Sequence, residues 1–187
     1  MQTMILAPEI AKTHFDLATE RALALIDMYV DLDIDQVGVG GDFAGNRLII
    51  SPALYREFIV PEVRKLSRYL HAHQKLAVNA SDGDLWPVAE EFLLSCEVDG
   101  YLEIDFSAGM DMRRLKSRYG DRITLYGNLD CGTVLSFCAP SEIRRHTLDC
   151  LEAGAEGGGH ILCASNAITA SVSLENYLSL VNAYREY

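Results

Sequence analysis

The chain reads as an α/β protein built on a parallel sheet. Strand-like and helix-like stretches alternate five times, and each strand-like stretch closes on polar residues. The strand starts fall about 23 to 40 residues apart, which is the spacing of βα repeats. Such alternation implies parallel strands joined by right-handed crossovers. Periodicity alone does not choose between an open doubly wound sheet and part of a (β/α)8 barrel. At 187 residues the chain is too short for eight units, which take about 250 residues.

From Pro8 to Val30, Ile10, Leu17, Ala18, Leu25 and Met28 recur at helical spacing between charged residues, which predicts an amphipathic helix. Residues 34–41 form a strand ending in glycine. Ser51 and Pro52 start a second helix, since Ser caps an N-terminus and Pro suits the first turn. Leu54, Phe58, Val63, Leu66 and Leu70 make its packed face, with Pro61 kinking or restarting it. Residues 75–79 are the second strand, followed by a helix over 85–96. Residues 99–105 are the third strand. The helix at 112–119 ends at Gly120, placed as a C-cap.

The fourth strand, Ile123–Tyr126, stops at Gly127 and hands over to Asn128 and Asp130. A helix over 143–153 follows the Pro140-Ser141-Glu142 start. The fifth strand covers 159–164 and ends at Ser165 and Asn166. The last helix begins near Leu174 and carries Tyr177, Leu178, Leu180 and Val181.

In parallel α/β folds the carboxyl ends of strands hold the chemistry. Here those ends deliver Asp42, Asn79 with Asp82, Glu103 with Asp105, Asn128 with Asp130, and Ser165 with Asn166. Any one of these acids has a plain alternative role as a helix N-cap. Five such ends in succession exceed what capping asks for. Carboxylates crowded on one face raise one another's pKa, as general acid–base work requires. No His falls at a strand end except His160, which starts its strand, so the expectation is no bound metal. Cys163 reads as core, and Trp86 and Tyr126 as packing residues, with Tyr126 near the mouth. His71 and His73 read as solvated residues at a helix end.

Composition bounds the rest. A net charge of −11 argues against nucleic acid or an anionic membrane surface as partner. No apolar run approaches a membrane span, and the start lacks a signal-peptide pattern. Five cysteines without a C-x-x-C spacing point to a reducing cytoplasm, with most thiols packing as small hydrophobes. No Walker or G-x-G-x-x-G motif is present, and the glycines at 157–159 precede a strand where a phosphate loop would follow one.

Gly127-Asn128-Leu129-Asp130, Ser51-Pro52 followed by Tyr55, Phe58 and Pro61, and Glu175-Asn176 before an aromatic-containing helix resemble the uroporphyrinogen decarboxylase superfamily. That superfamily holds decarboxylases and cobalamin-linked methyltransferases on a (β/α)8 barrel. The resemblance covers nearly the whole chain and matches the carboxyl-terminal part of the pattern. It therefore implies a single domain over 1–187 that is a partial (β/α)8 TIM barrel of about five units, roughly strands 4 to 8, without the amino-terminal units. A family serine falls on Asp42 and a late family histidine on Asn166. The H-x-C pair of the zinc methyltransferases falls on Ala80 and Asp82, and their later Cys on Asn166.

The function this implies is tetrapyrrole-linked lyase chemistry, loss of CO2 from pyrrole acetate side chains, without a cofactor. Asp42, Asp82 and Glu103 are the catalytic candidates. Asn79, Asp105, Tyr126, Asn128, Asp130, Ser165 and Asn166 are the substrate-binding candidates. The alternatives are a corrinoid-dependent methyltransferase acting on a methylated or methoxylated small molecule, and an incomplete barrel inactive without its other half. Corrinoid or zinc enters only under the methyl-transfer reading, with a corrinoid protein as its partner. Exposed barrel edges predict homo-oligomerisation.

Overall fold

The computed structural model describes residues 1–187. Five strands form one sheet in the order β1-β2-β3-β4-β5, all parallel. A doubly wound sheet reverses its strand order at a switch point. An unbroken sequential order is that of a stretch of (β/α)8 barrel wall, as the sequence resemblance implies. Two compact units divide the chain: Met1–Ser81 with Leu85–Gly100, and Asp82–Asp84 with Tyr101–Tyr187.

The first unit opens with a helix the sequence did not announce, α1 (Gln2–Leu6), and then α2 (Pro8–Val30). Ile10, Leu17, Leu25 and Met28, expected to pack, are exposed, while Ala11, Thr19 and Ile26 are buried. The helix is apolar round much of its circumference, so helical spacing fits two faces. The face with small side chains is the one that lies against α4 (Val60–Ala72). Strand β1 (Gln36–Val39) pairs in parallel with β2 (Leu76–Ala80), Gln36 opposite Leu76 and Val39 opposite Asn79.

Between them lie α3 (Pro52–Leu54) and α4, joined by a π-helical turn at Tyr55–Ile59. The Ser51 hydroxyl caps α3, accepting the Leu54 N–H at 3.3 Å. Pro61 has no N–H to offer the carbonyl four residues back, and the widened turn just before it absorbs the mismatch. The predicted helix over 85–96 is also irregular. It begins with a 3₁₀ turn, Trp86–Val88, with Pro87 in its first turn, and ends in a π turn, Glu91–Ser95. Asp99 ties this unit's strand to its helix: its carboxylate accepts the Ala77 N–H and meets His71 Nε2, both at 2.8 Å.

The second unit holds β3 (Gly100–Leu102), α5 (Met112–Tyr119), β4 (Thr124–Tyr126), α6 (Val134–Phe137), α7 (Pro140–Ala155), β5 (His160–Ile161) and α8 (Leu174–Glu186). Strand β3 stops earlier than expected because Glu103 takes φ 70°. Gly120 closes α5 in right-handed geometry, not as a left-handed C-cap. Glycine is needed there for room, since a Cβ would lie 2.7 Å from the Lys116 carbonyl oxygen.

Leu125 faces His160 and Tyr126 faces Ile161, and the pairing resumes as a bridge from Leu129 to Ala164. The core of this unit gathers Leu129, Val134, Leu135 and Ile143, with Leu180 of α8 packed on it. The Ser173 hydroxyl caps α8 by accepting the Asn176 N–H at 3.1 Å. Asn176 itself is buried, and its carboxamide donates to the Leu135 carbonyl at 2.8 Å. Tyr177 and Leu178, expected on the packed face of α8, are exposed, and Ala183 is buried instead.

The packing gives a direct test. Leu135 is fully buried, whereas Leu174 is 72% exposed. Leu135→Ala is expected to cost about 2–5 kcal/mol through lost transfer energy and a residual cavity. Leu174→Ala is expected to change stability by about 0.5 kcal/mol or less. Urea unfolding followed by circular dichroism measures both, and equal losses would contradict this account of the core.

Candidate functional site

The strand-end face of the second unit is built outward from β4. Leu125 is buried, and the chain turns at Gly127 with φ 146°. A Cβ on Gly127 would stand 3.1 Å from the Ile104 side chain. The Gly127 carbonyl is held from the side, by His160 Nε2 at 2.6 Å and the Cys150 thiol at 3.3 Å. The Cys150 sulfur also accepts the Asn128 N–H at 3.1 Å. Asn128 is thereby fixed with its carboxamide donating to the Met110 carbonyl at 2.9 Å.

Asp130 comes next and is nearly buried. One carboxylate oxygen accepts the Thr133 N–H at 2.8 Å, and the other accepts the Ser107 hydroxyl. Asp105 is engaged likewise, accepting the Gly83 and Ala108 N–H groups, each at 3.1 Å. For Asp130 and Asp105 the capping role is therefore real: both organise loops. Ser165 lies behind Asp130, accepting the Cys131 N–H at 3.4 Å, and Asn166 donates to Asp82 at 3.4 Å.

Tyr101 of this unit is fully buried. Burial raises the pKa of its phenol most, and the charges of Asp105, Asp82, Glu103 and Asp84 raise it further. The phenol stays protonated. Glu103 is held in left-handed geometry at φ 70°, which costs a non-glycine residue about 1–2 kcal/mol. Such strain at a strand end commonly marks a functional position.

A cavity of about 290 Å³ opens between α5 and α7, with Asn128, Asp130, Met112 and Cys150 among its walls. Phe106 and His146 stand edge to face over it, with ring centroids 6.0 Å apart. This is near the lower limit of small-molecule pockets.

The first unit carries the other two predicted positions. Asp42 is exposed after β1. Asn79 is fully buried, and its carboxamide donates to the Phe92 carbonyl at 3.1 Å. Asn79 thus locks β2 to the helix behind it. Gly40 gives it room, because a Cβ there would fall 1.9 Å from the Asn79 side-chain oxygen. Tyr126 is half-buried.

Sequence reasoning missed Tyr101, Asp84, Ser107 and the His160–Cys150 pair. Strand alternation offers a signal for Tyr101, since residues 101 and 103 share a side. Nothing in the spacing announces Ser107. The thiols of Cys150 and Cys163 are pushed up to about 11 by burial, and that of Cys96 to about 12. These three are poor nucleophiles at neutral pH. No group of three or more His, Cys, Asp or Glu side chains is placed to hold a metal ion. No helix is long and apolar enough to cross a membrane.

Comparison with known proteins places this geometry in context. The family model for uroporphyrinogen decarboxylase (URO-D) matches residues 1–187. Uroporphyrinogen decarboxylase of Coxiella burnetii is 24% identical over 185 residues, which are 96% of this chain and 48% of that protein. The Pseudomonas putida decarboxylase is 33% identical over 144 residues, 73% of this chain and 38% of that one. Among solved structures, a methyltransferase from Methanosarcina mazei superposes with TM-score 0.83 at 22% identity, over all of this chain and 52% of its own. The chain spans about half the length of the curated relatives it matches over most of its own length.

The His160 contact predicts a pH dependence of stability. Burial, the largest effect, holds the imidazole below its usual pKa, and the nearby Lys116 charge acts the same way, while the Gly127 carbonyl opposes them. Below about pH 6.5 the unfolded chain binds a proton at this position that the folded chain refuses. The contribution is therefore complete above that pH and is lost as pH falls through the folded pKa. The urea midpoint should drop on acidification from about pH 7 to pH 5, and the drop should be smaller for His160→Gln. An unchanged pH profile in that variant would contradict the assignment.

Proposed function

The chain belongs to the uroporphyrinogen decarboxylase (URO-D) family, and from that premise we propose that its strand-end acids serve the proton transfers of a decarboxylation on a pyrrole acetate. The observation that carries this reading is that Asp105 holds the Asp82–Asp84 loop through the Gly83 N–H, Asn166 meets Asp82, and a left-handed Glu103 ends the strand between them. Curated relatives named uroporphyrinogen decarboxylase support the substrate class. Because the chain spans about half their length, turnover is proposed for a full-length barrel and not for this stretch alone.

The chemistry asks two things of the protein. A proton added to a pyrrole ring carbon turns the ring into a cation. The electron pair of the bond to the acetate carboxylate then moves into that ring and CO2 leaves. The exocyclic methylene takes up a proton to become a methyl group, and the ring carbon returns its own. One proton is consumed and one CO2 released per acetate. An acid must deliver protons, and fixed negative charge must stabilise the cation.

Asp82 and Glu103 are the proposed proton carriers. Asp105 and Asp130, which hold loop N–H groups, act as fixed charge. Asn128, Ser165 and Asn166 are proposed to contact substrate. The positions matching the zinc ligands of the methyltransferase pattern are Ala80, Asp82 and Asn166. That donor set does not fit zinc, and no step is routed through a metal.

Titration of a full-length family barrel that contains this stretch with uroporphyrin and with cobalamin, followed by absorbance, tests the reading. Porphyrin is expected to bind saturably and, once bound, to take up protons on its ring nitrogens at a pH about one unit higher than when free. Asp82→Asn combined with Glu103→Gln is expected to remove most of that increase, since each pKa unit reports about 1.4 kcal/mol of charge interaction. Cobalamin binding without porphyrin binding would favour methyl transfer instead. Binding of neither would sink both.

A further inference from the structure

We propose that the cavity between α5 and α7 binds a small organic cation, a primary ammonium carried on an apolar stem. The proposal stands apart from the decarboxylation reading. The cavity holds about 290 Å³, near the lower limit of ligand pockets and too small for a ring system of four pyrroles. Residues 146, 149, 150 and 153 of α7 reach it together, because steps of three and four residues fall on one helix face. Met112 of α5, Leu129 and Cys150 form an apolar base, being 3, 2 and 7% exposed. That base takes the stem, as the apolar lining of a ligand pocket commonly does.

Charge identifies the other end of the ligand. Asp111, Asp130 and Asp149 line the cavity. The chain itself fixes two of these carboxylates. Asp111 accepts the Arg114 N–H at 2.7 Å, and Asp130 accepts the Thr133 N–H at 2.8 Å and the Ser107 hydroxyl. Asp149 makes no hydrogen bond or ion pair within the chain. The guanidinium on the wall, Arg113, pairs at 3.9 Å with Glu152, which lies outside the cavity. Three carboxylates against one engaged guanidinium favour positive charge.

The mouth adds an independent feature. Phe106 and His146 stand edge to face there, and Phe106 is 48% exposed although its ring is large and apolar. An aromatic ring beside carboxylates suits an ammonium, because its face is negative and its bulk screens the ion pair from water. A neutral ligand would gain the apolar base and leave Asp149 unpaired, and an anion would meet all three carboxylates. A metal ion is the poorer occupant, since these side chains are not grouped to hold one.

Isothermal titration calorimetry on a full-length family barrel that contains this stretch tests the proposal. Benzylamine is the probe, with benzyl alcohol and phenylacetate as its neutral and anionic counterparts. Benzylamine is expected to bind saturably at about one to one, and the other two about tenfold or more weakly. Asp149→Asn is expected to weaken benzylamine about tenfold, and Phe106→Ala about two- to fivefold. Both side chains are exposed, so circular dichroism should show the fold intact. Asp121→Asn removes an exposed acid of the same unit that lies outside the cavity, and it should leave the affinity unchanged. Absence of saturable binding overturns the proposal. So does equal affinity for the three probes, indifference to both cavity substitutions, or an equal loss in Asp121→Asn, which would mean attraction by net charge alone. No porphyrin enters these titrations, so a barrel that binds benzylamine here and fails to bind porphyrin upholds the cavity while sinking the decarboxylation reading.

Discussion

The second unit depends on how one carbonyl is satisfied. Gly127 ends β4, and its oxygen takes its hydrogen bonds from His160 and Cys150, side chains of β5 and α7. A buried carbonyl left without a donor costs about 1–3 kcal/mol, so these two side chains are needed wherever the strand turns in this way. Their contact joins strand, neighbouring strand and covering helix at one point. Glycine suits 127 because the backbone there has φ 146°, and a Cβ would also press on Ile104 at 3.1 Å. From that fixed point the chain delivers Asn128 to the Met110 carbonyl and Asp130 to the α6 loop. The polar tip of β4 is held by packing behind it, and this is how a site on a strand end gains precision over one on a loop.

The acids at the strand ends divide into two kinds. Asp105 and Asp130 accept backbone N–H groups and hold loops by doing so. Glu103 is different, because its backbone occupies a conformation that nothing in a β-strand favours, and its charge bears on a buried phenol. A residue whose role is to move a proton benefits from such placement more than one whose role is to cap.

Much of this was legible in the residues. Alternation gave the parallel sheet, and the positions of all five strands agree with it, because short apolar runs ending in Gly or acid leave little choice. The Gly127–Asp130 segment carried the family resemblance that the whole-length family match upholds. The packed face of α2 was misread, since hydrophobic spacing reports a preference for burial and not what supplies it. The ends of β3 and β5 were drawn too long, because a left-handed Glu103 and an interrupted ladder leave no pattern in composition. Asn79 reads as a strand-end polar residue, yet it lies in the interior bonded to Phe92. Strand-end position predicts direction only while the strand continues to alternate. The His160–Cys150 support for Gly127 joins residues far apart in the chain, and no local spacing announces such a contact.

For the proposed decarboxylation, whose substrate is a polyanion, the acidic face at first looks wrong. The conflict dissolves once ground state and transition state are separated. Acetate groups need cations to hold them, and in this unit the groups whose charges bear on Tyr101 are carboxylates. What these can stabilise is the positive ring that exists only after protonation. Charge that strengthens binding in the transition state more than in the ground state accelerates the chemical step, while equal help to both does not. Under the proposed decarboxylation this stretch would supply the field for the cation and the remainder of a full-length barrel the grip on the carboxylates. The net charge of −11 would then oppose approach of such a substrate, and that grip would have to overcome it.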